Sequence, residues 1–207
     1  MPLPVFISGA VEGRSDEPVF RRIVEERGGT VHRLQVQNGK SALRHALPGY
    51  NAAAVQSPWL VLVDLDSDFE CAGALVADWL PHPSRHMCFR VVVRQIESWL
   101  LADAERFAEF FAVRRSALPT DPDSLPDAKQ TVVNLVARSR RKSIRLDMVP
   151  SVGSGRRVGP AYASHLINFV SDPHHGWRLA TAMAHSRSLT KCVERFDALV
   201  ARHRQPQ

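Results

Sequence analysis

Cysteine is scarce and scattered in this chain: Cys71, Cys88 and Cys192 are the only three, with no CxxC pair among them. An odd, dispersed set excludes a disulfide framework and a zinc ribbon, and leaves buried free thiols as the expected state of all three. Nowhere do about 18 apolar residues run together, so no membrane-spanning helix and no membrane partner are expected. The opening MPLPVFISGAVEGRSDEP shows neither a basic leader with a long apolar run nor a small-residue cleavage site, which makes the expected location cytoplasmic. Internal repeats and low-complexity runs are also missing. The stretch NGKS (Asn38 to Ser41) lacks the first glycine of a P-loop at the needed spacing, which argues against nucleotide hydrolysis there.

What is present suits an ordinary globular chain: 207 residues, 44% of them hydrophobic, suffice for one core or for one core with an appended helical part. The net charge of +6 and pI near 9.8 favour a polyanionic partner, DNA or RNA. VFISG reads as a strand. The next segment, RSDEPVFRRIVEERGG, reads as a helix capped near Ser15 or Asp16, with Val19, Phe20, Ile23 and Val24 inward and Gly28-Gly29 as its stop. TVHRLQVQ alternates as a strand, Gly39 to Leu47 suggests a helix, and WLVLVD is a strand apolar on both faces. The helix FECAGALVADWL and the strand MCFRVVVRQ complete a β-α-β-α-β-α-β order, which predicts an α/β fold with a central parallel sheet. Beyond it the periodicity is helical: IESWLLADAERFAEFF, then DAKQTVVNLVARSRRK, then three short helices beginning near Pro160, Gly176 and Ser188. The expected division is 1–117 as the α/β domain and 118–207 as a helical extension packed on it.

The acidic positions carry the chemistry. Glu12 follows the first strand, while Asp64 and Asp66 end the third. In an open parallel sheet the functional crevice lies beyond the carboxyl ends of the strands, so these carboxylates converge if the two strands are neighbours. Clustered carboxylates repel one another in a low-dielectric cleft and persist only when a cation or a proton neutralises them. Oxygen-only donors without His or Cys select a hard ion, Mg²⁺ or Mn²⁺. Basic surface would attract a polyanion and the acidic pocket would hold the metal that works on it.

The pairing of VEGRSD with VLVDLDSD resembles the TOPRIM domain, whose signature is a strand-end Glu followed later by DxD. The segments QNGKSALRHAL, DLDSDFECAGALV, VRQIESWLLAD, VGPAYASHL and SRSLTKCVERF extend the resemblance over nearly the whole chain. Together they are similar to a small stand-alone family of TOPRIM-like proteins of unknown function, often encoded beside an ABC/AAA-type ATPase of the OLD kind. The resemblance implies a TOPRIM-like fold, a Mg-dependent nuclease activity in an ATPase-coupled anti-phage defence system, and an ABC/AAA-type ATPase partner. It implies Glu12 as metal ligand or acid/base group, Asp64 and Asp66 as the DxD that holds Mg²⁺, Asp16 as a second acid one turn on, and Glu97 as an additional ligand. A phosphodiester would be attacked in line, with one ion activating water and the other stabilising the leaving oxygen. Tyr50 and Tyr162, the only tyrosines, sit in no topoisomerase-type module, so a nuclease is preferred.

Plainer roles compete for several of these residues. Asp16 equally suits helix capping, and Asp68 reads as the N-cap of the next helix. Glu97 suits an exposed first-turn position favoured by the helix dipole. Lys40 is placed to face the acidic crevice from the second strand-to-helix turn. Arg140, Arg141, Lys142, Arg156 and Arg157, around the glycine-rich GSGRRVGP, could track a phosphate backbone or form a solvated face. His82 with His86 and the pair His174-His175 lack a metal-binding spacing. Trp79, Trp99, Phe110 and Trp177 read mainly as core. Two other functional classes stay open: a catalytically silent binding or regulatory subunit of an ATPase complex, and a DxD metal-dependent phosphate-transfer enzyme. The sequence leaves the oligomeric state open, a homo-oligomer included.

Overall fold

The computed structural model describes residues 4–204. Strand and helix alternate through β1 (Val5–Val11), α1 (Glu17–Glu26), β2 (Gly29–Val36), α2 (Lys40–Ala53), β3 (Trp59–Asp64), α3 (Ala72–Trp79) and β4 (Met87–Val92). The strands pair in the order β2-β1-β3-β4, all parallel. The fold is therefore α/β, a parallel sheet flanked by helices with a further helix at the C-terminal end, in a Rossmann-like arrangement.

Local chemistry explains the elements. β3 is central, and its residues Trp59 to Val63 are buried on both faces, as its unbroken apolar run requires. β2 lies at an edge, and its positions are partly buried or exposed, none fully buried. On α1, Val19, Phe20, Ile23 and Val24 are fully buried, each contributing about 1.5–3 kcal/mol of apolar transfer. Gly9 on β1 allows this helix to approach: a Cβ there would lie 2.2 Å from the Phe20 ring and 2.6 Å from the Leu60 carbonyl oxygen. The opposite face of the sheet packs Ala10, Val61, Val63 and Phe89 with Leu43 and Leu47 of α2 and Leu75 of α3.

Two compact units result. One ends at Val93 and is rejoined by the chain from Ser188; the other is Arg94–Arg187. This differs from the expected division at 117/118. The second unit contains α4 (Ile96–Leu101), α5 (Ala104–Phe110), α6 (Ala128–Val136), α7 (Lys142–Met148), α8 (Tyr162–Ser171) and α9 (Leu179–Met183). Because α4 packs on α5, α6 and α9, the chain leaves the sheet unit directly after β4. The last helix, α10 (Arg187–Arg204), returns to that unit and buries Leu189, Cys192, Val193, Phe196, Leu199 and Val200.

The helix expected over IESWLLADAERFAEFF breaks at Asp103, whose fully buried carboxylate accepts from the Arg106 N–H and from the Arg178 main chain and guanidinium. Trp177 is core: it is 1% exposed and its Nε1 donates to the Trp99 carbonyl at 2.8 Å. Cys88 and Cys192 are buried free thiols, but Cys71 is exposed, since it precedes α3 in an extended loop instead of lying on its inner face. Among the described residues, no helix is long and apolar enough to cross a membrane.

Candidate active site

Three strand-to-helix turns of the sheet unit meet beside β1 and β3, where the strand order reverses, the place at which open parallel sheets form their binding crevice. The turn after β1 carries Glu12 and Asp16, the turn after β2 carries Lys40, and the turn after β3 carries Asp64, Asp66 and Asp68. Parallel pairing of β1 with β3 places Glu12 against the end of β3, and its Oε1 accepts from the Asp64 N–H at 2.7 Å. The first and second turns are joined as well, the Gly39 N–H donating to the Glu12 carbonyl at 3.1 Å. Gly39 has φ of +100°, a conformation that favours glycine, and it launches α2 with Lys40 as its first residue.

Lys40 lies over the acidic turn. Its Nζ donates to the Leu65 carbonyl at 3.0 Å and to Asp66 Oδ2 at 3.2 Å, and pairs with Asp68 Oδ2 at 2.9 Å. Burial alone would lower the lysine pKa; the bonds to Asp68 and Asp66 outweigh it and raise the value. Asp66 itself sits at φ of +50°, the left-handed region uncommon for a residue with a side chain. Asp68 therefore belongs to this cluster and not to α3, whose N-cap is Cys71 with no side-chain cap bond. Asp16 occupies the N-cap position of α1 without capping it; its buried carboxylate accepts from Gly13 N–H at 2.9 Å and Ser15 Oγ at 3.0 Å.

Glu12 is the member of this set whose protonation is most displaced. Burial pushes its pKa up to about 7; the Asp64 N–H opposes the rise, the negative field of Asp16 and Asp66 adds to it, and Lys40 relieves part of it. Only one of its carboxylate oxygens is hydrogen-bonded among the described residues. The donors are all oxygen, held by rigid strand ends and mutually repelling, which fits a hard divalent ion in chemistry. Among the described residues no three Asp, Glu, His or Cys side chains are already gathered closely enough to hold an ion. An ammonium group, that of Lys40, is the cation that Asp66 and Asp68 meet.

Five of the sequence candidates thus share one crevice: Glu12, Asp16, Lys40, Asp64 and Asp66. Glu97 belongs to the helical unit. It is 1% exposed, not a solvated first-turn residue, and its Oε1 accepts from Tyr162 Oη at 3.2 Å with Lys129 Nζ 3.7 Å away. Its Oε2 is buried without a hydrogen bond. Burial and the Glu97 charge together hold the Tyr162 phenol well above its ordinary pKa. Tyr50 stacks on Trp59 and accepts from Gln37 Nε2 at 2.6 Å, so both tyrosines are committed to packing and hydrogen bonds.

The basic candidates are exposed, as a polyanion-binding role needs: Arg140, Arg141 and Lys142 before and at the start of α7, Arg156 and Arg157 in the following loop. Arg141 donates to the Phe110 carbonyl and Arg157 pairs with Asp127 at 2.5 Å, which leaves Arg140, Lys142 and Arg156 the better placed for an external anion. Sequence reasoning passed over the buried Glu97-Tyr162-Lys129 group, because 65 residues separate its Glu from its Tyr. It also passed over an arginine pocket beside β4, for which the spacing Arg195, Ala198, Arg202 on one helix face was a usable signal. Comparisons with protein-family models, curated proteins and solved structures find no match to this chain.

Proposed function

We propose that the chain is a Mg²⁺- or Mn²⁺-dependent TOPRIM-like nuclease that hydrolyses phosphodiester bonds in DNA or RNA. The observation that carries this reading is the bond between Glu12 and Asp64 across β1 and β3. It brings a strand-end Glu and a DxD pair from two separate turns to one crevice edge, at the topological switch point. A dication would be held by Glu12, Asp64 and Asp66, with Asp16 beside them, and would supply Lewis-acid activation and neutralisation of developing phosphoryl charge.

The residues of the chain have separable parts in this scheme. Glu12, fixed through one oxygen by the Asp64 N–H, can hold or release a proton near neutral pH. Lys40 keeps Asp66 and Asp68 paired and brings a fixed positive charge to the place where a phosphate would arrive. Arg140, Lys142 and Arg156 would track the phosphate backbone. An ABC/AAA-type ATPase partner and a role in anti-phage defence follow from the family resemblance and belong to the same proposal.

The test is cleavage of DNA and RNA in Mg²⁺, Mn²⁺ or EDTA, with and without a proposed ABC/AAA-type ATPase partner, beside Glu12→Gln and Asp64→Asn. Metal-dependent cleavage that each substitution lowers by about a hundredfold or more supports the reading. Absence of metal-dependent cleavage on both substrates with the partner present overturns it. A silent regulatory subunit would then be the surviving alternative.

A further inference from the structure

The sheet unit carries a second polar concavity, on the opposite side of β3 from β1. β4 is an edge strand, and a cavity of about 420 Å³ lies against it, walled by Val76 and Leu80 of α3, by Met87 to Arg90, and by α10. Arg85, Arg90, Arg195 and Arg202 line it, and none of the lining residues is acidic. On α10 the residues Arg195, Ala198 and Arg202 recur at three- and four-residue spacing, which puts both guanidinium groups on one helix face with a small residue between them. None of the four arginines is paired with a carboxylate among the described residues.

Arg90 adds a second observation. It stands on β4 opposite Leu62 of β3, donates to the Cys192 sulfur, and has its Nε buried with no hydrogen-bond partner among the described residues. A buried N–H left without an acceptor costs free energy, so the Arg90 guanidinium is held at the cavity wall at a cost that the fold itself does not offset. The nearby His86, in edge contact with His203 at 4.4 Å, also has a buried nitrogen, Nδ1, without a partner. Burial first, then the positive field of His203, Arg85 and Arg202, holds His86 below its ordinary pKa, as expected beside an uncompensated cationic pocket.

From this geometry we infer that the pocket beside β4 binds a phosphate monoester of nucleotide size. The guanidinium forks match phosphate oxygens in charge and in planar donor geometry. The wall of Val76, Leu80 and Phe89 supplies apolar contact for the organic body. The cavity falls within the range of about 300 to 1,000 Å³ typical of small-molecule sites. The competing explanation is that arginines merely guard the free edge of β4 against pairing with another chain.

Isothermal titration of the full chain in EDTA, with inorganic phosphate, a nucleoside 5′-monophosphate and the uncharged nucleoside, separates these accounts and keeps the acidic crevice out of the measurement. The monophosphate is expected to bind and the nucleoside not. The double substitution of Arg195→Gln with Arg202→Gln, both at exposed positions, should weaken binding about tenfold or more, and Arg85→Gln provides a second variant judged the same way. A 5′-phosphorylated oligonucleotide compared with its unphosphorylated twin distinguishes a strand end from a free nucleotide as the source of the phosphate. No binding of the monophosphate, equal binding of the nucleoside, or undiminished binding by folded variants would each overturn the inference. Self-association of the variants without any change in phosphate affinity would favour the edge-guarding account.

Discussion

Two concavities flank β3 in the sheet unit, and they treat charge in opposite ways. The crevice beside β1 gathers Glu12, Asp16, Asp64, Asp66 and Asp68 around a single lysine, while the pocket beside β4 gathers arginines and no acid. Both hold more of one sign than a stable fold needs. Groups arranged against their own electrostatics are candidates for ligand sites. The acidic excess is suited to a cation, the basic excess to an anion. In the crevice the surplus is already partly relieved by Lys40; in the pocket no carboxylate relieves it among the described residues.

If the crevice holds its acids at a cost, stability in EDTA should depend on pH through Glu12. Its folded pKa, about 7, lies above the ordinary carboxyl value of 4.5, so the folded state binds the proton more tightly than the unfolded one. The contribution is therefore fully present below pH 4.5 and lost as pH rises through 7, a swing of about 3 kcal/mol. Urea unfolding from pH 4.5 to 8 checks this. Glu12→Gln should remove that part of the slope, and an unchanged slope would show that Glu12 is not held as described.

Lys40→Met should sharpen the contrast by making the crevice resemble the pocket, one sign without relief. Loss of the bonds to Leu65, Asp66 and Asp68 is expected to destabilise the metal-free protein by about 1–3 kcal/mol. Added Mg²⁺ should return part of the loss. Denaturant midpoints with and without Mg²⁺ measure both. The smallest effect belongs to Asp68→Asn: with a side chain 55% exposed, its ion pair with Lys40 is worth less than about 1 kcal/mol. A cost as large as that of Lys40→Met would mean that the Asp68 pair alone carries most of what the lysine contributes.

The two sites also differ in how far the sequence disclosed them. Glu12, Asp64 and Asp66 each end an apolar strand segment, so local reading located them, and the rule for parallel sheets joined them before β1 and β3 were known to pair. Lys40 was legible for the same reason, as the first residue of a helix that follows a strand. Arg85 and Arg90 lie just before and on β4, and Arg195 and Arg202 on α10 roughly a hundred residues later; the α10 spacing is a local signal, but nothing local links it to β4. Domain organisation failed to show for a related reason. The α10 segment is amphipathic like any surface helix, and nothing in its periodicity says that it rejoins the sheet unit. Glu97 illustrates a further limit: its position in the first helical turn suggested exposure, whereas packing of α4 buries all six residues of that helix.

The central claim is that Glu12 and Asp64 form one divalent-cation site. Titration of the full chain with Mn²⁺ at pH 7.5, followed by electron paramagnetic resonance, tests it most directly beside Glu12→Gln and Asp64→Asn. The account predicts saturable Mn²⁺ binding by the unsubstituted chain, competed by Mg²⁺ and lost or strongly weakened in each variant. Equal binding in all three proteins, or no binding in any, would contradict it.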